Sequence, residues 1–324
     1  MKDIINLCQV SLARDIPLIL ENYLAFKKHY HLIKIFIICP KDQILEFKEK
    51  CKFEEFNIIC EDDLISIYDF NKIYKSLNQH IEYKEEFSEK INWYYQQILK
   101  ISFVIKFVKE NKEKITIWDA DTILLNQVDF FKKDFSIKYG TFHEFHKPYY
   151  ITNRVILKEF PDYFISFLIQ FISITELECD NLLKNIFNKT DIDSELTENL
   201  SKIILQSIFK VHPRLDLKEN YNASLFSEYE LIGQANCNIN RSKQKVLLSL
   251  RYNLTGKLTD LQKVILKILN FKHVTYEHSQ PVNLGMLDKK QSSSKLFIVV
   301  LKILINFNYK RVNHIIKYYY YLFR

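Results

Sequence analysis

The sequence predicts an α/β fold: a mostly parallel sheet flanked by helices, with a helical C-terminal extension. Two observations carry this. Short β-branched apolar runs alternate with helical patterns through roughly the first 120 residues, as βαβ units require. The 48% apolar and 15% aromatic content is ample for a core on both faces of such a sheet, and it excludes wholesale disorder.

The strands are predicted at residues 4–11, 33–39, 57–60 and 115–118, each a run of Ile, Val, Phe or Cys bounded by polar residues. Helical patterns lie between them at 15–29, 41–50, 66–77 and 93–110, and Pro40 suits a loop that leads into a helix. The N-terminus is too short and polar for a signal peptide and reads as the first strand. Beyond residue 125 the regularity weakens. Residues 139–150 read as strand and loop, whereas 161–178, 181–188 and 195–209 read as helices. Ser227 and Glu230 form an S-x-x-E capping box that starts another helix. A polar stretch from Asp288 to Ser294 sets a boundary near residue 285.

Only four glycines are present, Gly140, Gly233, Gly256 and Gly285, which excludes both a G-x-G-x-x-G dinucleotide loop and a Walker A loop. The six cysteines form no C-x-x-C pair and no zinc spacing, and they suit a reducing cytosol. No run of eighteen apolar residues exists to span a membrane. From Lys289 onward there are eight basic residues and no acidic one, leaving residues 1–288 near neutral. That distribution is not that of a nucleic-acid binder, whose basic surface lies on its folded domain.

The chemistry centres on Ile115-Thr-Ile-Trp-Asp-Ala-Asp-Thr-Ile-Leu-Leu125. A buried strand that ends on two carboxylates, Asp119 and Asp121, needs positive charge beside it. A hard divalent cation, Mn²⁺ or Mg²⁺, is commonly held by one or two carboxylates plus substrate phosphates. The alternative is a strand-terminating turn in which the Asp side chains bond backbone amides. The second copy, Asp191-Ile-Asp193, has no strand before it and reads as a solvated loop. Ligands of parallel sheets bind at strand carboxyl ends, which here singles out Ser11 with Arg14 and Asp15, and the triplet Glu61-Asp62-Asp63. Helix capping is the competing reading for each cluster.

Asn92-Trp-Tyr-Tyr-Gln-Gln-Ile-Leu-Lys100 and Trp118-Asp-Ala-Asp-Thr-Ile123, followed by His146-Lys-Pro-Tyr-Tyr150 and Ser227-Glu-Tyr-Glu230, resemble a family of bacterial GT-A-like glycosyltransferases. That family carries W-x-x-Q-Q-x-x-K, W-D-A-D-T, histidine-proline-tyrosine and S-E-Y-E elements in this order. The resemblance spans roughly residues 1–240; it departs at Asn92, where relatives have glycine, and matches only loosely at 173–178. It implies a GT-A-like, Rossmann-type sheet and transfer from a nucleotide-sugar donor to a glycan or lipid-linked acceptor in capsule, O-antigen or lipooligosaccharide synthesis. On that footing residues 1–285 are the catalytic domain, with a nucleotide-binding half 1–125 and an acceptor half 126–285.

Within this frame Asp121 is the direct metal ligand, with Asp119 reaching metal-bound water or ribose. Ser11, Arg14, Asp62, Gln96, Gln97 and Lys100 are the further donor contacts. Gln96 and Lys100 share a helix face at i, i+4, and Lys100 reads either as a phosphate contact or as a solvated helix lysine. Glu228, in the first turn of the capped helix, is the leading general base for an inverting transfer, and Glu176 the runner-up. A charge complementing the helix dipole is the alternative for Glu228. His146 and Tyr149 are assigned to the acceptor. Trp93, Tyr94 and Phe103 read as core, and Trp118 and Thr122 as packing and turn residues. A nucleotidyl- or phosphotransferase on the same metal site and a non-catalytic scaffold are the alternative functions. The basic, aromatic segment 286–324 suits an anionic membrane surface, making the protein cytoplasmic and peripheral on the inner membrane; helices packed on the catalytic domain are the alternative.

Overall fold

The computed structural model describes residues 4–77, 90–141, 146–158, 166–211, 224–237, 239, 244–246, 250–251 and 258–276. The chain opens β1 (Ile5–Val10), α1 (Ile16–His29), β2 (Ile33–Cys39), α2 (Ile44–Lys50), β3 (Phe56–Cys60), α3 (Ile67–Leu77), α4 (Ile91–Asn111) and β4 (Ile115–Trp118). It continues through β5 (Thr122–Leu124), β6 (Phe131–Lys132), β7 (Phe135–Ser136), β8 (Lys138–Gly140), α5 (Lys147–Leu157), β9 (Phe171–Ile174), α6 (Glu176–Phe187), α7 (Leu196–Val211) and α8 (Glu228–Asn236). The last described elements are β10 (Gln244–Val246), β11 (Leu250–Arg251), α9 (Asp260–Ile268) and β12 (His273–Thr275).

Five strands form the main sheet in the order β3-β2-β1-β4-β9. The first four are mutually parallel and β9 runs antiparallel to β4. Alternation along each strand divides the core in two. Ile5 and Leu7 of β1 join Ile33, Ile35 and Ile37 of β2 and the α1 residues Ile16, Ile19, Tyr23 and Phe26 on one face. Cys8, Val10 and Ile38 face α4 and the helices α6–α8 on the other. Helix α4 is buried along most of its 21 residues and ends on Lys112, whose φ of 58° is the left-handed stop common at helix C-termini.

The first-half elements match the sequence reading to within two or three residues, because each is a long, strongly periodic or β-branched segment. Two later readings are corrected. Residues 161–178 read as one helix, but Phe171–Ile174 is a strand, registered Ile115↔Ile174 and Trp118↔Phe171 on β4, and the helix starts only at Glu176. A short run that is apolar on every side has no period to separate strand from helix; here the free edge of β4 decides, with Thr116 Oγ1 and Ser173 Oγ 2.8 Å apart across the pair. Residues 147–150 read as loop but begin α5, with Pro148 in its first turn. The boundary at 285 and segment 286–324 lie outside the described residues.

Strands from both sides of residue 125 share sheets: β9 completes the main sheet, and β12 pairs antiparallel with β5. Helix α8, buried over its whole length, packs on β9 and on helices α4, α5 and α6. Its Gly233 lies against the fully buried Phe167 ring, where any Cβ would overlap the ring carbons. Gly233→Ala is therefore expected to destabilise the fold. Overpacking costs about 1–3 kcal/mol and outweighs the roughly 0.5–1 kcal/mol that alanine gains in a helix. Urea unfolding checks this, and a variant as stable as the parent would mean the Phe167 ring is free to move.

Candidate active site

In the order β3-β2-β1-β4, strands two and three lie on one side of β1 and strand four on the other. The crevice between the carboxyl ends of β1 and β4 is thus the topological switch point, where open α/β sheets bind ligands. The register Cys8↔Ile117, continued two residues, brings Val10 level with Asp119. Beyond β4 the backbone is clamped. The Asp119 N–H donates to Gln170 O and the Thr122 N–H to Asp119 O, both at 3.0 Å, and the Tyr276 N–H donates to Asp121 O at 2.9 Å. Trp118, fully buried, donates its indole N–H to Thr122 O at 2.8 Å and stacks on Phe171. Trp118 and Thr122 are the packing and turn residues the sequence predicts.

Lys100 reaches this loop from α4. Its Nζ lies 2.5 Å from Asp119 Oδ1 and 2.7 Å from Glu228 Oε1, with the side chain only 4% exposed. Burial opposes its charge, but the two carboxylates outweigh that and hold its pKa above the usual lysine range. Glu228 moves the opposite way from Asp–Arg pairs at surfaces: burial pushes its carboxyl up despite Lys100, and Asp119 adds to the rise. Tyr229 completes the group. Lys100 Nζ lies 3.5 Å from its hydroxyl and 5.2 Å from its ring centroid, and burial first, then the carboxylates of Asp119 and Glu228, push its pKa well up.

Gln97 ties the two helices together. Its Oε1 accepts the Glu228 N–H at 3.1 Å, capping an otherwise orphan donor in the first turn of α8. Its amide nitrogen is buried with no partner among the described residues, a donor available to whatever enters the crevice. Ser227 also caps α8, accepting from the Glu230 N–H. The Glu230 carboxylate is taken up by Ser166, Phe167 N and Gln234.

These groups open on a cavity of about 530 Å³. Of the twelve residues given a catalytic, donor, acceptor or metal role from sequence, Arg14, Gln96, Gln97, Lys100, Asp119, Asp121, Tyr149 and Glu228 line it together, with Asp15 beside Arg14. Four do not. Ser11 donates to Asp15 Oδ2 at 3.2 Å and belongs to the turn before α1. Asp62 is exposed on a single helical turn after β3, two strands away from the crevice. Glu176 follows an antiparallel strand, so it emerges beside Ile115, at the opposite end of β4 from Asp119, where it pairs with the exposed Lys112. A general-base role for Glu176 at this crevice is excluded by that placement. His146 caps α5 one turn behind Tyr149, with Nε2 2.7 Å from Ser224 O.

The sequence missed Trp93, which is 43% exposed at the cavity rather than core, and Tyr229, Gln170 and Thr275 in its walls. Tyr229 sits inside the S-E-Y-E element, so a signal existed. Nothing local marks Gln170 or Thr275. Asp191-Ile-Asp193 behaves as expected, with Asp193 exposed and paired to Lys189.

Asp119 and Asp121 both line the cavity, yet no group of three or more His, Cys, Asp or Glu that could hold a metal gathers among the described residues. Two carboxylates with one oxygen engaged by Lys100 suit a hard cation that completes its shell with water and substrate phosphates. They do not suit a closed structural site.

No protein-family model matches the chain, and no curated protein matches it in sequence. Among solved structures it is similar to mouse xyloside xylosyltransferase 1 in its apo form, at 10% identity and a TM-score of 0.35, over 86% of this chain and 99% of that one. It is similar to the glycosyltransferase GlyE of Streptococcus pneumoniae at 12% identity and 0.35, over 92% of this chain and 60% of that one. The galactosyltransferase LgtC, solved with donor and acceptor sugar analogues, aligns at 7% identity and 0.33, over 91% and 95%. At TM-scores this low the alignments add nothing to the geometry above.

Removing Lys100 leaves Glu228 and Asp119 facing each other without a cation. Lys100→Met is expected to lose roughly 3–5 kcal/mol of stability, the usual cost of breaking a buried ion pair from one side, with Lys100→Met/Glu228→Gln recovering part of it. Urea denaturation of the single and double variants measures both, and additive losses would show that the bridge does not form.

Proposed function

We propose that the chain is a metal-dependent glycosyltransferase, moving a sugar from a nucleotide-sugar donor to a glycan or lipid-linked acceptor in the synthesis of a bacterial surface polysaccharide. The observation that carries this reading is the convergence of Asp119, Asp121, Lys100 and Glu228 on one cavity at the switch point of a parallel sheet. The polysaccharide setting rests on the four-motif resemblance alone.

Asp121 and the second oxygen of Asp119 would hold Mn²⁺ or Mg²⁺ together with the donor diphosphate. When bound, the cation supplies the positive charge that stabilises a departing diphosphate without proton transfer. The protein's own groups do the rest. Arg14, exposed at the cavity with Nε 3.9 Å from Asp15 Oδ1, offers a guanidinium to phosphate. The spare Gln97 donor and the Trp93 ring offer polar and stacking contacts to a nucleoside or sugar. Lys100 fixes the Glu228 carboxylate through Oε1, and burial makes that carboxylate a stronger base than a solvated one. In an inverting transfer Glu228 takes the acceptor hydroxyl proton. Tyr149, with His146 packed on it at 4.2 Å, forms the acceptor side.

Asp121→Asn is expected to abolish transfer and Mn²⁺-dependent nucleotide binding while leaving the fold intact, and EDTA is expected to silence the native protein. Calorimetric titration of UDP-, GDP- and CMP-sugars with and without Mn²⁺, beside turnover assays, reads both effects; full turnover in EDTA would sink the metal reading.

Glu228→Gln keeps the shape of the side chain and its contact with Lys100 but removes the base. Its kcat is expected to fall roughly 10²–10⁴-fold with donor affinity retained. A loss of only a few-fold would make Glu228 a structural partner of Lys100.

A further inference from the structure

Helix α9 carries an apolar stripe on its exposed side as well as a buried one. Leu266 is fully buried against Leu18, Ile123 and Phe271. Leu261, Val264, Ile265 and Ile268 follow the helical spacing i, i+3, i+4, i+7, and they are 69%, 49%, 46% and 77% exposed. Leu269 extends the stripe at 37%. A run of this length on the open side of one short helix is more than scattered surface hydrophobes and marks an interaction surface.

Charge around the stripe indicates the partner. Lys28, Lys267 and Lys272 lie close enough together to act jointly on His29, whose pKa is lowered first by burial and then by these lysines. No carboxylate of the described residues pairs with any of the three. Lys263 is held by Glu21 of α1, which fastens the helix to the body and leaves the stripe facing away from it. One helical turn beyond Glu21, Leu24 is 57% exposed, an apolar side chain on α1 between Glu21 and Lys28.

We propose that α9 and the adjoining end of α1 form a docking surface for an anionic lipid bilayer, with the apolar stripe entering the headgroup region and Lys28, Lys267 and Lys272 meeting lipid phosphates. An apolar stripe flanked by lysines is the composition of an interfacial helix. The other occupants fit the charge less well. The apolar run near the C-terminus belongs to a segment with eight basic residues and no acidic one, and a second copy of the chain would bring the same lysines face to face. The surface also lies close to the chemistry. From α9 the chain enters β12 directly, and β12 ends on Thr275 in the cavity wall, paired with Thr122. A membrane at α9 would therefore hold a lipid-linked acceptor near the cavity. That use rests on the proposed transfer, but the docking does not.

Co-sedimentation of the full-length chain with vesicles tests the surface. The chain is expected to pellet with phosphatidylglycerol–phosphatidylcholine vesicles at low salt and not with phosphatidylcholine alone. Ile265→Ser/Ile268→Ser and, separately, Lys267→Glu/Lys272→Glu are each expected to weaken binding by at least about tenfold at unchanged thermal stability. Undiminished binding by both variants would move the contact to another part of the chain and overturn the proposal. So would a fall in melting temperature for Ile265→Ser/Ile268→Ser, which would mean the chain covers its own stripe. Loss of a dimer in that variant, read by analytical ultracentrifugation, would assign the stripe to a second copy. Because vesicle binding needs no turnover, a membrane-bound but inactive protein would count against sugar transfer and leave the docking surface standing.

Discussion

Burial of the Lys100 ammonium is the constraint on which the rest of the crevice depends. Residues 100, 119 and 228 are far apart in sequence, and nothing local brings them together. A lysine that is only 4% exposed cannot remain charged without anionic partners, and Glu228, at 2%, cannot remain ionised without a cation. Each makes the other tolerable, so α4, the end of β4 and the start of α8 must meet. Gln97, one turn from Lys100 on the same helix, caps the very turn that carries Glu228. The capping bond and the ion bridge thus fix α8 in both position and rotation. The complete burial of α8 follows from where its first turn is anchored.

A second buried lysine shows why charge burial alone does not mark a functional site. Lys138 and Glu178 are both fully buried, with Nζ 3.5 Å from Oε2. Glu178 is already held by Ser136 Oγ, Thr175 N and Thr175 Oγ1, so its charge is largely satisfied before the lysine arrives. Burial accordingly dominates Lys138 and lowers its pKa, while the two carboxylates of the crevice raise that of Lys100. The Lys138–Glu178 pair fastens β8 to the start of α6 and does not line the cavity. The Lys100 bridge carries an excess of negative charge and faces open space, which is the arrangement a cationic ligand would exploit.

How far the sequence revealed this depended on whether a residue's environment was local. Strands β1 to β4 and helices α1 to α4 were legible because their own periodicity decides them. Asp119 and Asp121 were legible because they end a buried strand, and Glu228 because Ser227 announces a helix start. Lys100 could be placed on one face with Gln96, but whether that face met solvent or two carboxylates depends on a residue 128 positions away. The misreading of Glu176 has the same origin. Once Phe171–Ile174 is taken for helix, nothing tells the reader that the strand runs antiparallel and delivers Glu176 to the wrong end of the sheet. Trp93 failed for the opposite reason: a tryptophan beside core tyrosines is statistically core, but its own helix position opens onto the cavity.

Gln170 links the edge strand of the main sheet, β9, to the rigidity of the carboxylate loop. Its φ of 62° is left-handed, yet it is not a helix stop as Lys112, Lys158 and Asn188 are. A side chain pays a cost of order 1–3 kcal/mol for such a conformation, which persists only where surrounding contacts impose it. Here they are identifiable. Phe171 must enter the antiparallel register opposite Trp118, and the carbonyl just before it must accept the Asp119 N–H. The left-handed turn at 170 meets both. The strain therefore falls on the residue that fixes the backbone of Asp119, while Tyr276 fixes that of Asp121 from the other side. Two carboxylates held this way need little rearrangement when charge arrives between them, and preorganisation of that kind is what a transfer site requires.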